Sequence, residues 1–339
     1  MLRILHDTKY DFVKYWKVAV LATIAFIVLG MALMGYHKFR TGNAINYSIE
    51  FTGGTEVQLH FTKGAVPADV VRSSVHEAGY RDAEVASFGA PDEFLVKVRP
   101  SGAAVAAANA DSIGATIVNT LSRTVPGNPA QVMRAGSVGA RVGDELKVKA
   151  FTAILISFLV TLVYLAIRFE WRFGVAAVIA TAHDILTTIA FLAMMHLEVS
   201  LTVVAALLTV IGYSLNDTII IFDRVRENLK KQRKESLREV LNRSINETLP
   251  RSVMTHATVL AATLSLLFFA GEVIRPFSWI MAFGVFTGTF SSIYIAGPIL
   301  LWIEHKWPRQ TGSEKKGTAR ALAEERRRER PATTAATTR

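Results

Sequence analysis

The chain has 339 residues, 51% of them hydrophobic, with a mean hydropathy of +0.31. That balance excludes an ordinary soluble globule and points to several membrane spans. The absence of cysteine excludes disulfides, zinc–thiolate sites and a cysteine nucleophile, and the net charge of +10 has to be located along the chain before it is read as a nucleic-acid signal.

After a short tail (1–17) carrying Arg3, Lys9, Lys14 and Lys17, the apolar run 18–36 is long enough to span. It ends in Gly-Tyr-His-Lys-Phe-Arg rather than at a small-residue cleavage site, which favours an uncleaved anchor over a signal peptide. Residues 37–147 contain no spanning segment and read as one soluble domain. Between Lys38 and Lys147 there are eleven basic and eleven acidic residues, so no nucleic-acid face is expected. Ile45, Tyr47, Ile49 and Phe51 alternate with polar residues, as do Val57, Leu59 and Phe61, and both runs are expected as half-buried strands. A helix over 67–78, a strand pair at 83–88 and 93–99, an Ala-rich helix over 103–122 and a strand at 131–135 follow. The order βαββαβ predicts a ferredoxin-like α+β domain.

From residue 148 to 303 the chain returns to apolar runs, at about 150–167, 174–195, 199–222, 252–270 and 277–303, which with the first makes six transmembrane helices. Arg168 and Arg172, the nine basic residues from Arg224 to Arg251, and the flank beginning at Lys306 fall on one side. The positive-inside rule makes that side cytoplasmic, with both termini there and the α+β domain outside. The basic balance is thereby explained without DNA or RNA. The cytoplasmic loop at 223–251 is expected to hold surface helices near the headgroups, since Ser236 to Glu239 fits a capping box ahead of the stripe Leu237, Val240, Leu241 and Ile245. The tail 304–339, with Arg326 to Arg328 in a row, is expected to be basic and disordered.

Chemistry-bearing residues concentrate in the spans. Asp217 lies in the fourth, with Ser214, Asn216 and Thr218 close by. An Asp at a membrane-helix centre costs roughly 2.5 to 3.5 kcal/mol on insertion scales, so such a residue by default faces a bundle interior or an ion path. The competing reading is a helix-end Asp near the headgroups, because Asp223 and Arg224 lie only about 9 Å further along. Arg251 opens the fifth span after Pro250, with Thr255 and Thr258 one and two turns on; it reads equally as a snorkelling anchor or as a partner for Asp217 at similar depth. His183 and Asp184, near the middle of the third span, suit a proton relay or a structural hydrogen bond. Gly284, Gly288, Ser292 and Ala296 recur every fourth residue and are expected to serve helix packing. Phe51-Thr-Gly-Gly-Thr55 lacks the Lys and following helix of a phosphate loop and reads as a bend or bulge. No catalytic triad, nucleotide loop or metal cluster stands out. The expectation is therefore no enzyme, no cofactor and no metal.

FTGGT after the first span, HD in the third, GYSLNDTIIIFDRVREN in the fourth and NETLPRSVMTHAT entering the fifth together resemble the SecF family of protein-export membrane subunits of the bacterial Sec system, within the SecD/SecF family and the RND superfamily. The likeness covers about Tyr10 to Trp307. It implies a multi-pass inner-membrane subunit that pairs with SecD, associates with the SecYEG channel and with YajC, and uses the proton-motive force to help draw unfolded preproteins through. By motif match it implies that Asp217, Arg251 and Thr255 take part in proton coupling and that a carboxylate from SecD completes the route; Asn216, His183 and Asp184 are further candidates from their place in the spans and not from the resemblance. A non-transporting scaffold for the translocon or for membrane-protein insertion, and a subunit of an RND-type small-molecule transporter, stay open as alternatives.

Overall fold

The computed structural model describes residues 8–99, 109–231, 235–271 and 273–308. A short 3-10 turn leads into α1 (Trp16–Thr41), and α2 (Ile49–Thr52) ends the passage to a small α+β domain. That domain comprises β1 (Gly54–Phe61), α3 (Ala68–Glu77), β2 (Glu84–Phe88), β3 (Ala90–Val98), α4 (Ala110–Thr124) and β4 (Ala130–Val138). The chain then forms α5 (Ala140–Arg168), α6 (Trp171–Met194), α7 (Leu201–Lys231), α8 (Leu237–Phe269), α9 (Arg275–Ser291), a π-helical turn (Ser292–Ala296) and α10 (Gly297–Lys306). Among the described residues, six helical stretches are long and apolar enough to cross a membrane, the last formed by α9, the π turn and α10 together.

The sheet runs β2-β3-β1-β4 with every neighbouring pair antiparallel, the ferredoxin-like arrangement expected from βαββαβ. Burial alternates along β1. Val57, Leu59 and Phe61 close on Phe94, Val96 and Val98 and on the helical residues Val71, Val75, Ile113, Ile117 and Leu121, so strands of period two and helices of period 3.6 present one apolar face each to a common core. The expected start of the second domain helix, residues 103–108, and the tail from 309 onward lie outside the described residues.

Two expectations require correction. The alternating run Ile45 to Phe51 is not a strand of the sheet: Tyr47 forms an isolated bridge with Val199, and Ile49–Thr52 is a single helical turn. The alternation instead reflects docking on the bundle, where Phe51 packs among Leu192, Val199, Val203 and Val210. Gly53 (φ 75°) and Gly54 (φ 136°) then redirect the chain into β1, a left-handed passage that glycine makes without steric strain. At Gly53 a Cβ would also lie 2.8 Å from Ala140 Cα at the start of α5. The second correction concerns the loop at 223–251. Helix α7 continues to Lys231 and α8 begins at Leu237, so most of that segment extends two spanning helices rather than forming separate surface helices. The capping box at Ser236 and Glu239 has both of its hydrogen bonds. Val240, Leu241 and Ile245 bury against Phe222, Val225 and Leu300, which a stripe lying in the headgroups could not do. Pro250 sits inside α8 without ending it.

Close approach of helices is set by small residues. In α9, a Cβ at Gly284 would lie 2.3 Å from Val210 Cγ2, and one at Gly288 would lie 3.1 Å from Ser214 Cβ. A Cβ at Gly30 of α1 would lie 2.4 Å from Ala190 Cβ of α6, a contact the reading of the sequence did not anticipate. With little hydrophobic drive between helices in lipid, such backbone proximity is a main source of association.

Candidate intramembrane site

Two carboxylates lie inside the bundle, and they differ in how they are held. Asp184 of α6 is buried and surrounded by donors. Ser214 of α7 donates to its Oδ2, Ser291 of α9 donates to the same oxygen at 2.7 Å, and His183 Nδ1 lies 3.1 Å from Oδ1. Gly288 makes this geometry possible, because its missing side chain lets α7 bring Ser214 against α9 one turn from Ser291. Thr187 and Thr188 turn their hydroxyls back onto the carbonyl of Asp184. Three helices thus meet on one carboxylate whose two oxygens both have partners, the condition under which a buried polar group is tolerated.

Asp217, three residues after Ser214 on α7, is equally buried. Ser252 of α8 donates to Oδ1 at 2.5 Å, and Oδ2 is buried without a partner among the described residues. Ser252 and His256 are one turn apart on the buried face of α8. The His256 Nδ1 lies 2.6 Å from the Ser252 carbonyl, the ring meets Tyr213 edge-on with centroids 5.1 Å apart, and its Nε2 is buried without a partner among the described residues. Arg251 and His256 are basic side chains near enough to act on Asp217 electrostatically. A carboxylate with one satisfied and one open oxygen, in a low-dielectric setting, is suited to binding and releasing a proton, because the open oxygen can take the proton without displacing a donor.

The remaining sequence candidates lie elsewhere on the same helices. Asn216 is on the exposed face of α7, and Arg251 and Thr255 are on the exposed face of α8. Among the described residues no ion pair joins Arg251 to Asp217; the direct partner is Ser252. Thr255 accepts a hydrogen bond at its carbonyl from the Tyr213 hydroxyl, 3.3 Å away. Sequence reasoning assigned the polar face of the fifth span to Arg251, Thr255 and Thr258 and missed Ser252 and His256. The spacing Ser252, His256, Thr263, Leu267 carries that second face at helical period, and all four are buried. Among the described residues, no group of three or more His, Asp or Glu side chains is gathered that could hold a metal ion.

The start of α7 is tied to the passage into the α+β domain. Ser48 N–H donates to the Val199 carbonyl at 2.9 Å and Val199 N–H to the Asn46 carbonyl at 2.7 Å. The Glu50 carboxylate accepts from Leu201 N–H at 2.6 Å, at the helix N-terminus where an anion is favoured. Lys97 of β3 pairs with Glu198. Helix α7 therefore carries Asp217 in its interior and grips the α+β domain at its start.

Residues 113–306 match the family model described as protein export membrane protein SecD/SecF, C-terminal, and residues 41–65 match the SecD/SecF GG motif. The chain is 54% identical to the protein translocase subunit SecF of Gemmatimonas aurantiaca, across 95% of this chain and 94% of that one. It is 36% identical to the protein translocase subunit SecF of Vibrio alginolyticus, across 93% and 98%. Among solved structures it is similar to SecDF, a translocon-associated membrane protein from Thermus thermophilus, with a TM-score of 0.76 and 34% identity. That match covers 90% of this chain and 40% of the SecDF chain.

Proposed function

The chain belongs to the SecF family of protein translocase subunits, and on that premise we propose that it works with SecD to couple the proton-motive force to late-stage translocation of unfolded preproteins through the SecYEG channel. The observation that carries this reading is Asp217, buried in α7, with Oδ1 on Ser252 and Oδ2 open. The carboxylate takes a proton from one side of the membrane and gives it up to the other. In the charged form Ser252 donates to it; in the protonated form the site holds one more donor and loses a negative charge, so the balance between α7 and α8 changes. A shift of α7 is passed to the α+β domain some 24 Å along the helix, through the pairings of Val199 with Asn46 and Ser48, of Leu201 with Glu50, and of Glu198 with Lys97. Moving one elementary charge across 100 mV is worth about 2.3 kcal/mol, enough to bias a helix packing that has two close arrangements.

Asn216, Arg251 and Thr255, on exposed faces, belong in this reading to the half of the route completed by SecD. The SecDF relative is the precedent, since this chain spans 40% of its length. The chain sits in the bacterial inner membrane with both termini in the cytoplasm, the α+β domain in the periplasm and YajC as an associated subunit. The scaffold alternative treats Asp217 as a structural contact, and the unpartnered Oδ2 weighs against it.

The test is gradient-dependent preprotein translocation into membrane vesicles carrying this chain with SecD, comparing wild type with Asp217→Asn and Arg251→Met. Both variants are expected to lose the gradient-dependent component at unchanged membrane levels. Retention of that component in Asp217→Asn refutes the proposal and leaves the scaffold reading.

A further inference from the structure

His256 is the second buried titratable side chain at the contact between α7 and α8, and the coupling scheme above gives it no role. Its placement is specific. A backbone carbonyl can only accept, so the 2.6 Å contact with the Ser252 carbonyl places the ring proton on Nδ1 and leaves Nε2 as a bare lone pair in the neutral ring. Nε2 is buried and unpartnered among the described residues, as is Oδ2 of Asp217. Ser252 touches both residues, donating its hydroxyl to Asp217 and accepting at its carbonyl from His256. Two open proton-accepting atoms therefore flank one serine, each buried without a partner among the described residues, and because an open buried acceptor costs free energy such a pair calls for an explanation.

The geometry points to His256 as a second proton-holding group coupled to Asp217, so that this site shares a proton between a carboxylate and an imidazole. The inference rests on Asp217 being the proton-binding carboxylate. The transfer balances simply: the Asp217 carboxylic acid loses its O–H proton, the imidazole gains an N–H at Nε2, and a carboxylate and an imidazolium result with no change in net charge. The two charges created stand as a pair, and their mutual attraction offsets part of the penalty that each alone would meet inside the bundle. Imidazole is also the side chain whose ordinary titration lies closest to neutral pH. The titratable and charged groups around it are Asp217 and Tyr213 from α7 and Arg251 from its own helix; α9, which packs on the same helix, carries none beyond Arg275 at its first position. The purely structural alternative is a ring held in place by its Nδ1 bond and by Tyr213.

Coupled titration separates the two, since a coupling between sites is reciprocal. The full chain with SecD is reconstituted in lipid. The protonated Asp217 carboxyl is followed by its infrared carbonyl band, identified by its loss in Asp217→Asn, and His256 by the nitrogen resonances of labelled imidazole. His256→Asn retains an N–H near the position of Nδ1 and removes the titrating ring. The Asp217 midpoint in His256→Asn and the His256 midpoint in Asp217→Asn are each expected to move, by the same amount in opposite directions and by about one pH unit or more, the size at which two sites titrate as a pair. The pH profile of gradient-dependent translocation moves with them. If either midpoint stays in place, the shared-proton assignment is overturned and His256 is a packing residue. That failure is distinct from failure of the coupling reading, which would appear as gradient-dependent translocation persisting in Asp217→Asn.

Discussion

Asp184 and Asp217 are both buried Asp side chains in one bundle, and their surroundings give them different work. Asp184 has partners on both oxygens from three helices; Asn in its place keeps one acceptor oxygen and presents an N–H2 at the other position, so either the two serine hydroxyls or the His183 ring loses its partner. Each buried polar group left unsatisfied costs about 1–3 kcal/mol, so Asp184→Asn is expected to lower thermal stability of the lipid-reconstituted chain by several degrees. Asp217→Asn keeps an acceptor for Ser252 and adds an N–H2 near an unpartnered position, and its melting should stay close to wild type while its coupling is lost. Melting curves recorded side by side check this, and equal destabilisation by both substitutions would contradict the distinction. Both carboxylates were visible in the sequence as intramembrane acids. Which one is fully held was not, because Ser214 and Ser291 come from helices far apart in the chain.

At the scale of helices, α9 acts through what it lacks. Gly288 leaves room for Ser214, whose Cβ and Cα would be 3.1 and 3.2 Å from a Cβ placed there. The second contact is backbone, so a larger residue has to push α7 outward and draw Ser214 from Asp184. Gly288→Val is expected to cost about 1–3 kcal/mol, the range of overpacked interiors, seen as a lower unfolding temperature. An unchanged temperature would mean that α7 and α9 tolerate separation. The four-residue spacing of small residues marked this contact surface from the sequence alone. The approach of α1 to α6 at Gly30 was not marked, since a single glycine in an apolar run carries no period. Likewise the strand expected at Ile45 to Phe51 gave way to a helical turn, because an alternating pattern records two-sided burial and does not say whether sheet or bundle provides it.

Across the whole molecule, the junction between the α+β domain and the bundle is built from charges as well as backbone pairing. Burial pushes the Glu56 carboxyl above its ordinary range, with Lys97 opposing the shift and Glu198 reinforcing it. A carboxyl with a raised folded pKa destabilises the fold at pH values above that pKa, and the penalty disappears as pH falls below the unfolded value. Glu56→Gln should therefore protect the amides of β1 and β3 from hydrogen exchange more than wild type does at neutral pH. The difference should fade toward the acidic end of the carboxylate range. Comparison of variant and wild type at each pH cancels the intrinsic pH dependence of exchange, and a constant difference across pH would show that Glu56 titrates without linkage to folding. The same junction couples the start of α7 to the sheet, so any shift of α7 must be accommodated there.

The sequence by itself determined the class of the molecule: six apolar runs of spanning length, a βαββαβ domain between the first two, and the acids Asp184 and Asp217 at depths where lipid makes charge costly. These are properties of local composition and period, which the chain expresses before it folds. Only the tertiary structure decided that Asp217 is held by Ser252 with Arg251 turned outward, that His256 shares its pocket, and that α7 is fastened to the domain through Asn46, Ser48, Glu50 and Lys97. Those outcomes depend on the rotation of each helix about its axis and on contacts between residues remote in sequence. A shift of one residue on a helix turns a side chain by about 100°, which is the whole difference between Arg251 facing outward and Ser252 facing the carboxylate.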